Sequence, residues 1–246
     1  MDHELSFISY NSTGLDRIKI VWINELLETF DVDCLQIQEH FKAIKTSEQF
    51  FKTNFKKYDS YVKKAVRDNS SHAGRPRGGL AQFVSKERNI KKERIVRSSW
   101  RILAQILHVN DYKLLWINVY MPTDPQTQSM DESEALSTLN EIEKIIQNNK
   151  FNDLLCAGDF NYDESRKTRF CRIVYEFLQK NGHLSVWSKF PVSFTYQHNT
   201  LTSFSTIDHF FVTESFLDNC MDAAPIHLPD NQSNHSAIML RIRIPE

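Results

Sequence analysis

Apolar residues in this chain gather in short runs broken by polar turns, the spacing of a protein built largely from strands. Strands are predicted over Glu4–Tyr10, Asp33–Gln38, Tyr58–Ala65, Gly79–Val84, Arg101–Val109, Tyr112–Tyr120 and Asp153–Ala157, with Asn110-Asp111 as a tight turn joining two of them. Further strands are expected around Phe194–Tyr196 and Ser205–Val212, and over Ser236–Ile244. The period becomes helical over Leu15–Phe30, where Ile18, Val21, Trp22, Leu26 and Phe30 form the expected apolar face. It does so again over Asp131–Asn148 and over Phe170–Lys180, the latter closed by Asn181-Gly182. Strands thus come in runs with helices interspersed. That order predicts two mixed sheets packed face to face with helices outside, an α/β sandwich rather than a doubly wound parallel sheet.

Composition narrows the classes. Across 246 residues, 41% hydrophobic and 12% aromatic content supply a sizeable core and exclude a disordered chain. No repeat or Pro/Gly-rich linker divides the sequence, so one domain over residues 1–246 is expected. No apolar stretch is long enough to span a bilayer, and Met1-Asp2-His3-Glu4 lacks the features of a secretory signal. Cys34, Cys156, Cys171 and Cys220 lie far apart without CxxC spacing, the pattern of reduced intracellular thiols rather than of a disulfide or zinc framework. The net charge of −1 hides an asymmetry: residues 41–115 hold 18 Lys plus Arg against 6 Asp plus Glu, a balance of +12 that the rest of the chain offsets. Such a division suits one face that meets a polyanion and another region that gathers carboxylates, although solvated surface lysines produce the same count.

Polar residues that an apolar strand would not choose recur at strand ends. Asn11 follows the first strand and Glu39 the second. Asp159 and Asn161 follow Leu154-Leu155-Cys156-Ala157 in the run Gly158-Asp159-Phe160-Asn161, Asp208 lies in Thr206-Ile207-Asp208-His209, and His235 in Ser233-Asn234-His235-Ser236. Each alone is more often a turn, cap or structural residue. Together they make an oxygen-rich set suited to a hard cation such as Mg²⁺, with an imidazole and a carboxylate partner beside it.

The ordered set SYN (9–11), QE (38–39), NVYMP (118–122), GDFN (158–161), STID (205–208) and SNHSAI (233–238) resembles the endonuclease/exonuclease/phosphatase superfamily along essentially the whole chain. The resemblance implies a DNase I-like, four-layered α/β sandwich that hydrolyses phosphodiesters with Mg²⁺, or with Mn²⁺. It implies Glu39 as principal metal ligand helped by Asn11, Asp159 as the group that orients or deprotonates the attacking water, and Asn161 as a holder of phosphate and water. Asp208 would pair with His235, leaving the imidazole to stabilise charge on the phosphate. Tyr120 would hydrogen-bond a phosphate oxygen, and Thr195 would support the site. Within the superfamily, GRPRGGLAQFV (74–84), LQIQEH (35–40) and SNHSAI resemble endonuclease domains of non-LTR (LINE-type) retrotransposons. That likeness implies nicking of double-stranded chromosomal DNA in the nucleus, leaving a 3′-hydroxyl primer for a reverse transcriptase domain of the same polyprotein. The chain would then be an excised domain, monomeric in isolation, its end falling just after the last strand. The loop Gln197–Ser203, with His198, Asn199 and Thr200, corresponds to the hairpin those enzymes present to DNA. Lys56, Lys57, Lys63, Lys64, Arg67, Arg75 and Arg77 are candidates to line the phosphate backbone, and Arg166 is a further one. One departure stands out: the superfamily usually carries Asp where this chain has Asn234, so this metal-site oxygen comes without its charge. An abasic-site repair endonuclease, or a nucleic-acid-binding module with weakened catalysis, also fits the sequence.

Overall fold

The computed structural model describes residues 3–43, 47–67, 75–95, 99–123, 132–200 and 202–245. Fourteen strands and four α-helices follow in the order β1 (His3–Asn11), α1 (Arg17–Thr29), β2 (Cys34–Gln38), α2 (Ser47–Asn54), β3 (Tyr58–Lys63), β4 (Leu80–Ser85), β5 (Lys91–Ile95), β6 (Ile102–Val109) and β7 (Tyr112–Tyr120) among the described residues. The chain continues through α3 (Ser133–Asn148), β8 (Asp153–Asp159), α4 (Arg169–Lys180), β9 (His183–Ser185), β10 (Tyr196–Gln197), β11 (Phe204–Ser205), β12 (Asp208–Thr213), β13 (Cys220–Ile226) and β14 (Ala237–Ile244). One six-stranded sheet runs β13-β14-β1-β2-β4-β3, a second runs β5-β6-β7-β8-β12-β9, and β10-β11 is a separate ribbon. Both large sheets are mixed, with β1 and β2 parallel in the first and β7 and β8 parallel in the second.

Three apolar layers hold these parts together. Leu5, Phe7, Trp116, Leu155, Phe210 and Leu240 belong to the layer between the sheets. Helices α1 and α2 cover the outside of the first sheet through Ile23, Leu26 and Phe51, the last against Phe83 of β4, and α3 and α4 cover the second through Leu139, Ile142, Phe170 and Val174. The result is the expected four-layered α/β sandwich, helices–sheet–sheet–helices. Side chain Asp16 caps the start of α1 by accepting from the Lys19 amide, and Thr168 caps α4 by accepting from that of Cys171. No helix among the described residues is long and apolar enough to cross a membrane. All four cysteines are buried, and none is in a disulfide.

The inner layer is not wholly apolar. Strand β2 reads Cys-Leu-Gln-Ile-Gln, and all five residues are buried. Leu35 and Ile37 pack beneath the helices, while Gln36 and Gln38 turn to the opposite sheet. Trp116 Nε1 donates to Gln36 Oε1 at 2.7 Å, and Gln38 Nε2 donates to Asn118 Oδ1 at 2.7 Å. Asn118 Nδ2 in turn donates to the carbonyls of Ile37 (3.1 Å) and Ala81 (3.0 Å). These bonds cross from one sheet to the other in a place without competing water, where direction counts.

Several expectations need correction. Ile18 and Val21 do not face the core: they are 60% and 57% exposed, and the buried face of α1 is made by Lys19, Ile20, Trp22, Ile23, Leu26 and Leu27. Buried Lys19 holds that face by donating from Nζ to the carbonyls of Ser12 (2.7 Å) and Gly14 (2.9 Å), so a charged position at core spacing was no sign of the outer face. Strand Tyr58–Ala65 ends at Lys63, and the strand expected up to Tyr196 shortens to Tyr196–Gln197. The expected Ser205–Val212 strand is broken, with Phe204–Ser205 in the ribbon and Asp208–Thr213 in the large sheet. Asp131 lies outside the described residues, and the helix is seen from Ser133. Helix α2 and strands β5, β9 and β13 were not foreseen.

Asn118 should behave as a keystone of the inner layer. Replacing Asn118 with Ala removes its bonds to two buried carbonyls and leaves the Gln38 amide with Ser9 as its remaining acceptor, and is expected to lower stability by about 2–4 kcal/mol. Urea unfolding followed by far-UV circular dichroism would measure this; a loss within error of zero would deny the layer its structural role.

Candidate active site

Strand register places the polar residues side by side. Tyr120 pairs with Asp159 across β7 and β8, Asp159 pairs with Asp208 across β8 and β12, and Asn11 pairs with Gln38, immediately before Glu39, across β1 and β2. The two sheets therefore present their groups at the same edge. Gly158 makes the β8 end possible: its φ is +142°, and a Cβ there would lie 2.0 Å from the Val119 carbonyl oxygen. Asn161 and Glu39 both have positive φ, 48° and 54°, so the chain turns sharply just where the functional groups leave their strands.

Asn11 joins the halves. Its Nδ2 donates to Asp159 Oδ2 at 2.9 Å and to Glu39 Oε2 at 3.1 Å, while its Oδ1 accepts from the Thr13 amide. Asp159 Oδ1 accepts from the Asn161 amide at 2.9 Å, and Asn161 Nδ2 donates to the Met121 carbonyl at 3.1 Å. His235 Nδ1 lies 2.9 Å from Asp208 Oδ2 and 3.1 Å from Oδ1. Because an ionised carboxylate only accepts, Nδ1 carries the proton. That leaves His235 Nε2 facing Asp159 Oδ2 across 4.0 Å, too far for a direct hydrogen bond and enough for a bound oxygen to intervene. Tyr120 bonds Glu39 through its hydroxyl.

Burial sets the electrostatics. Desolvation lifts the Asp159 carboxyl to about 7, opposed by nearby His235 and reinforced by Asp208 and Glu39. Desolvation presses His235 down, but the charge and hydrogen bond of Asp208, then Asp159 and Glu39, outweigh it and raise the imidazole to about 9. Burial together with the charges of Glu39 and Asp159 holds the Tyr120 hydroxyl above its ordinary range, so it stays a neutral donor. The group can thus take one proton at a carboxylate while presenting an imidazolium beside it. Asp159, Asp208 and His235 offer ligand atoms all within 4.8 Å of one another, with the Glu39 carboxylate joined to them through Asn11. Three carboxylates against one imidazolium in a desolvated rim leave excess negative charge, and an oxygen-rich set of this kind fits a hard divalent cation.

Neighbouring residues fix this geometry. Thr195 Oγ1 accepts from the Ile207 (3.0 Å) and Asp208 (2.9 Å) amides and so holds the chain where Asp208 begins its strand. The ribbon β10-β11 forms the expected hairpin, with His198, Asn199 and Thr200 exposed on its turn. Asn234 Nδ2 donates to Asn199 Oδ1 at 2.7 Å. Arg166 Nη2 donates to Ser205 Oγ at 2.6 Å at the hairpin root. Exposed Arg75 stacks on Phe41 and donates to the Thr13 carbonyl, on the loop after Asn11, and Arg77 is exposed opposite Val66. Lys63 faces inward instead of outward, its Nζ bonded to the Ser99 (2.7 Å) and Ile102 (2.9 Å) carbonyls. Lys57 pairs with Glu28 and lines, with Lys56, a hollow of about 880 Å³ to which none of the clustered residues contributes.

Some supports were missed. Ser233 Oγ donates to the Asn11 carbonyl at 2.7 Å, Asn231 Nδ2 donates to that of His235 at 2.7 Å, and buried Tyr10 donates to Asn231 Oδ1 at 2.7 Å. Asp163 accepts from the Thr206 amide and ties the loop after Asn161 to the segment before Asp208. The only signal for these was their nearness in sequence to Asn11, Asn161 and His235.

No protein-family model matches the sequence, and a comparison with curated proteins finds no match. Solved structures do match. The chain is similar to the AP endonuclease LMAP from Leishmania major, with a TM-score of 0.74 and 14% identity over 98% of this chain and 88% of that one. It is similar to an endonuclease/exonuclease/phosphatase family protein from Bacteroides thetaiotaomicron, with a TM-score of 0.69 and 15% identity over 100% of both chains. The endonuclease domain of TRAS1, a telomere-specific non-LTR retrotransposon, gives a TM-score of 0.71 and 13% identity over 99% of this chain and 100% of that one. These likenesses establish that the chain has the endonuclease/exonuclease/phosphatase fold.

Behind Glu39, His40 is fully buried, its Nδ1 accepting from the Lys42 amide and its Nε2–H donating to the Lys63 carbonyl. Burial lowers it to about 4 against the backbone bonds that would raise it. Between an unfolded value near 6.5 and this folded value the unfolded chain binds the extra proton, so stability is full above that window and falls as pH drops through it. Urea unfolding at pH 7 and pH 5 is expected to show a His40-dependent loss of about 2 kcal/mol, absent from His40→Gln. Equal pH dependence in both proteins would refute the assignment.

Proposed function

We propose that this chain is a divalent-metal-dependent endonuclease that hydrolyses a phosphodiester of double-stranded DNA. The observation that carries the reading is the joined cluster Glu39–Asn11–Asp159 facing the Asp208–His235 pair across a 4.0 Å gap. A purely structural cation site would not need a hydrogen-bonded carboxylate–imidazole pair held toward the same gap.

Glu39, Asn11 and Asp159 are the residues that would hold Mg²⁺ or Mn²⁺. When bound, the cation supplies Lewis-acid polarisation of the phosphate and eases ionisation of water. Asp159 takes the proton from the attacking water as its oxygen bonds to phosphorus. The bond from phosphorus to the 3′-oxygen breaks, and that oxygen takes a proton from solvent water to become a 3′-hydroxyl. His235, held by Asp208, stabilises the charge that develops on the phosphate, and Tyr120 and Asn161 donate to its oxygens. A retrotransposon role follows as the finer part of the proposal: the nick would provide a primer in the nucleus for a reverse transcriptase domain of the same polyprotein. The TRAS1 likeness and the exposed hairpin support it. The likeness to LMAP supports a second reading, incision at abasic sites.

Supercoiled plasmid should be nicked with Mg²⁺, not with EDTA, and at least about 100-fold more slowly by Asp159→Ala. Matched duplexes with and without one abasic site then separate the readings: comparable cutting of intact DNA favours the general nicking enzyme, and strong preference for the abasic duplex favours repair. A folded protein inactive on every substrate would reject both.

A further inference from the structure

The hairpin and the catalytic pair share a backbone. Ser236 N donates to the Thr195 carbonyl at 2.7 Å and Gln197 N donates to the Asn234 carbonyl at 2.8 Å, so the strand entering the hairpin lies alongside Asn234–Ser236. Tyr196 and His235 face each other in that pairing, their rings 4.8 Å apart. On its other side the same segment supplies the Thr195 hydroxyl that accepts from Asp208 N. The hairpin thus roots between the two members of the Asp208–His235 pair.

Its own ladder is short. Among the described residues Tyr196 pairs with Ser205 and Gln197 with Phe204, His198 N donates to the Ser203 carbonyl at 3.0 Å, and a ribbon of that size has little stability by itself. The root is braced by Phe194, whose ring lies 4.7 Å from Phe204 and 4.3 Å from His227. The turn holds a local polar chain in which His198 Nδ1, Thr200 Oγ1 and Thr202 Oγ1 follow one another at 3.0 and 2.7 Å. Beside it runs a groove of about 540 Å³, lined by His198 and Asn199 on one wall and Leu228, Gln232 and Ser233 on the other. Asn234 spans from the catalytic loop to the turn, through its bond to Asn199.

We infer that Asn234 is a specificity-determining positioning residue: its side chain fixes the hairpin turn relative to His235 and so sets which phosphate is cut relative to the bases the turn meets. This rests on the endonuclease reading. It gives the residue a task other than the metal ligand suggested by its place in the superfamily pattern, because its side chain is bonded to the hairpin turn. An aspartate at 234 could not donate to Asn199 Oδ1; the Asn199 amide would have to turn over, and the link would carry a charge.

A double-mutant cycle tests the link. Wild type, Asn199→Ala, Asn234→Ala and the double variant are incubated with Mg²⁺ and an end-labelled duplex, and nick positions are read on a sequencing gel. Each single change should lower the ratio of the preferred nick to its neighbours about threefold, the worth of one exposed hydrogen bond, and the double change should lower it no further. Asn199 is exposed, so its variant does not put the fold at risk. Independent, multiplying effects would overturn the inference. So would an Asn234→Ala protein with the wild-type nick pattern and a higher Mg²⁺ requirement, the mark of a metal ligand. Failure of the wild type to nick at all would instead bring down the endonuclease reading.

Discussion

The site exists only because two sheets meet in one register. Asn11, Glu39 and His235 come from the first sheet and its connections, whereas Tyr120, Asp159 and Asp208 come from the second. Apolar contact between sheets is non-directional and would tolerate sliding. The buried bonds from Trp116 to Gln36, from Gln38 to Asn118, and from Asn118 to two carbonyls of the facing sheet do not tolerate it. Asn11 continues the same line of cross-sheet bonds to the edge, where its partner is Asp159. The rim where these residues gather is in that sense the open end of a polar seam that begins in the core.

Placing acids at this rim is costly in the free protein, and the molecule spreads the cost. Asp208 is matched by His235, and Asp159 by two donors, the Asn11 side chain and the Asn161 backbone. Glu39 shares the Asn11 amide and the Tyr120 hydroxyl. These contacts pre-orient the groups before any ligand arrives, which is where an enzyme gains over water. They leave the charge only partly compensated, which a divalent cation and an anionic phosphate would complete together.

Much of this was legible in the sequence because it rests on local rules. Apolar runs gave the paired strands, Asn110-Asp111 and Asn181-Gly182 marked a hairpin and a helix end, and the polar residues at strand ends foretold Asn11, Glu39, Asp159, Asp208 and His235. The rest depended on what lies across from a residue. Gln36 and Gln38 look like one polar face of a strand, and nothing local tells that the face is buried against Trp116 and Asn118. Lys63 sits in a basic span, yet carbonyls from another segment capture its amine. The outer face of α1 was misread because Ile18 and Val21 are as apolar as the residues the helix buries. Short edge strands such as His183–Ser185 have too few residues to show a period, and exist because β12 offers them a partner.

The exposed hairpin and the Asp208–His235 pair could have been built on separate elements. Here Thr195 and its neighbours serve both: one hydroxyl receives the amide of Asp208, the next residue faces His235, and the one after accepts the chain into the hairpin. Any tilt of the hairpin must then act on the backbone that holds the acid–imidazole pair, because no flexible linker separates them. Rigidity at the root has an advantage in a reaction sensitive to small displacements, since an ångström of misplacement costs far more rate than one surface hydrogen bond costs stability. Under the proposed reading, variation in target choice would be confined to the turn itself, where exposed side chains can change without moving Asp208 or His235.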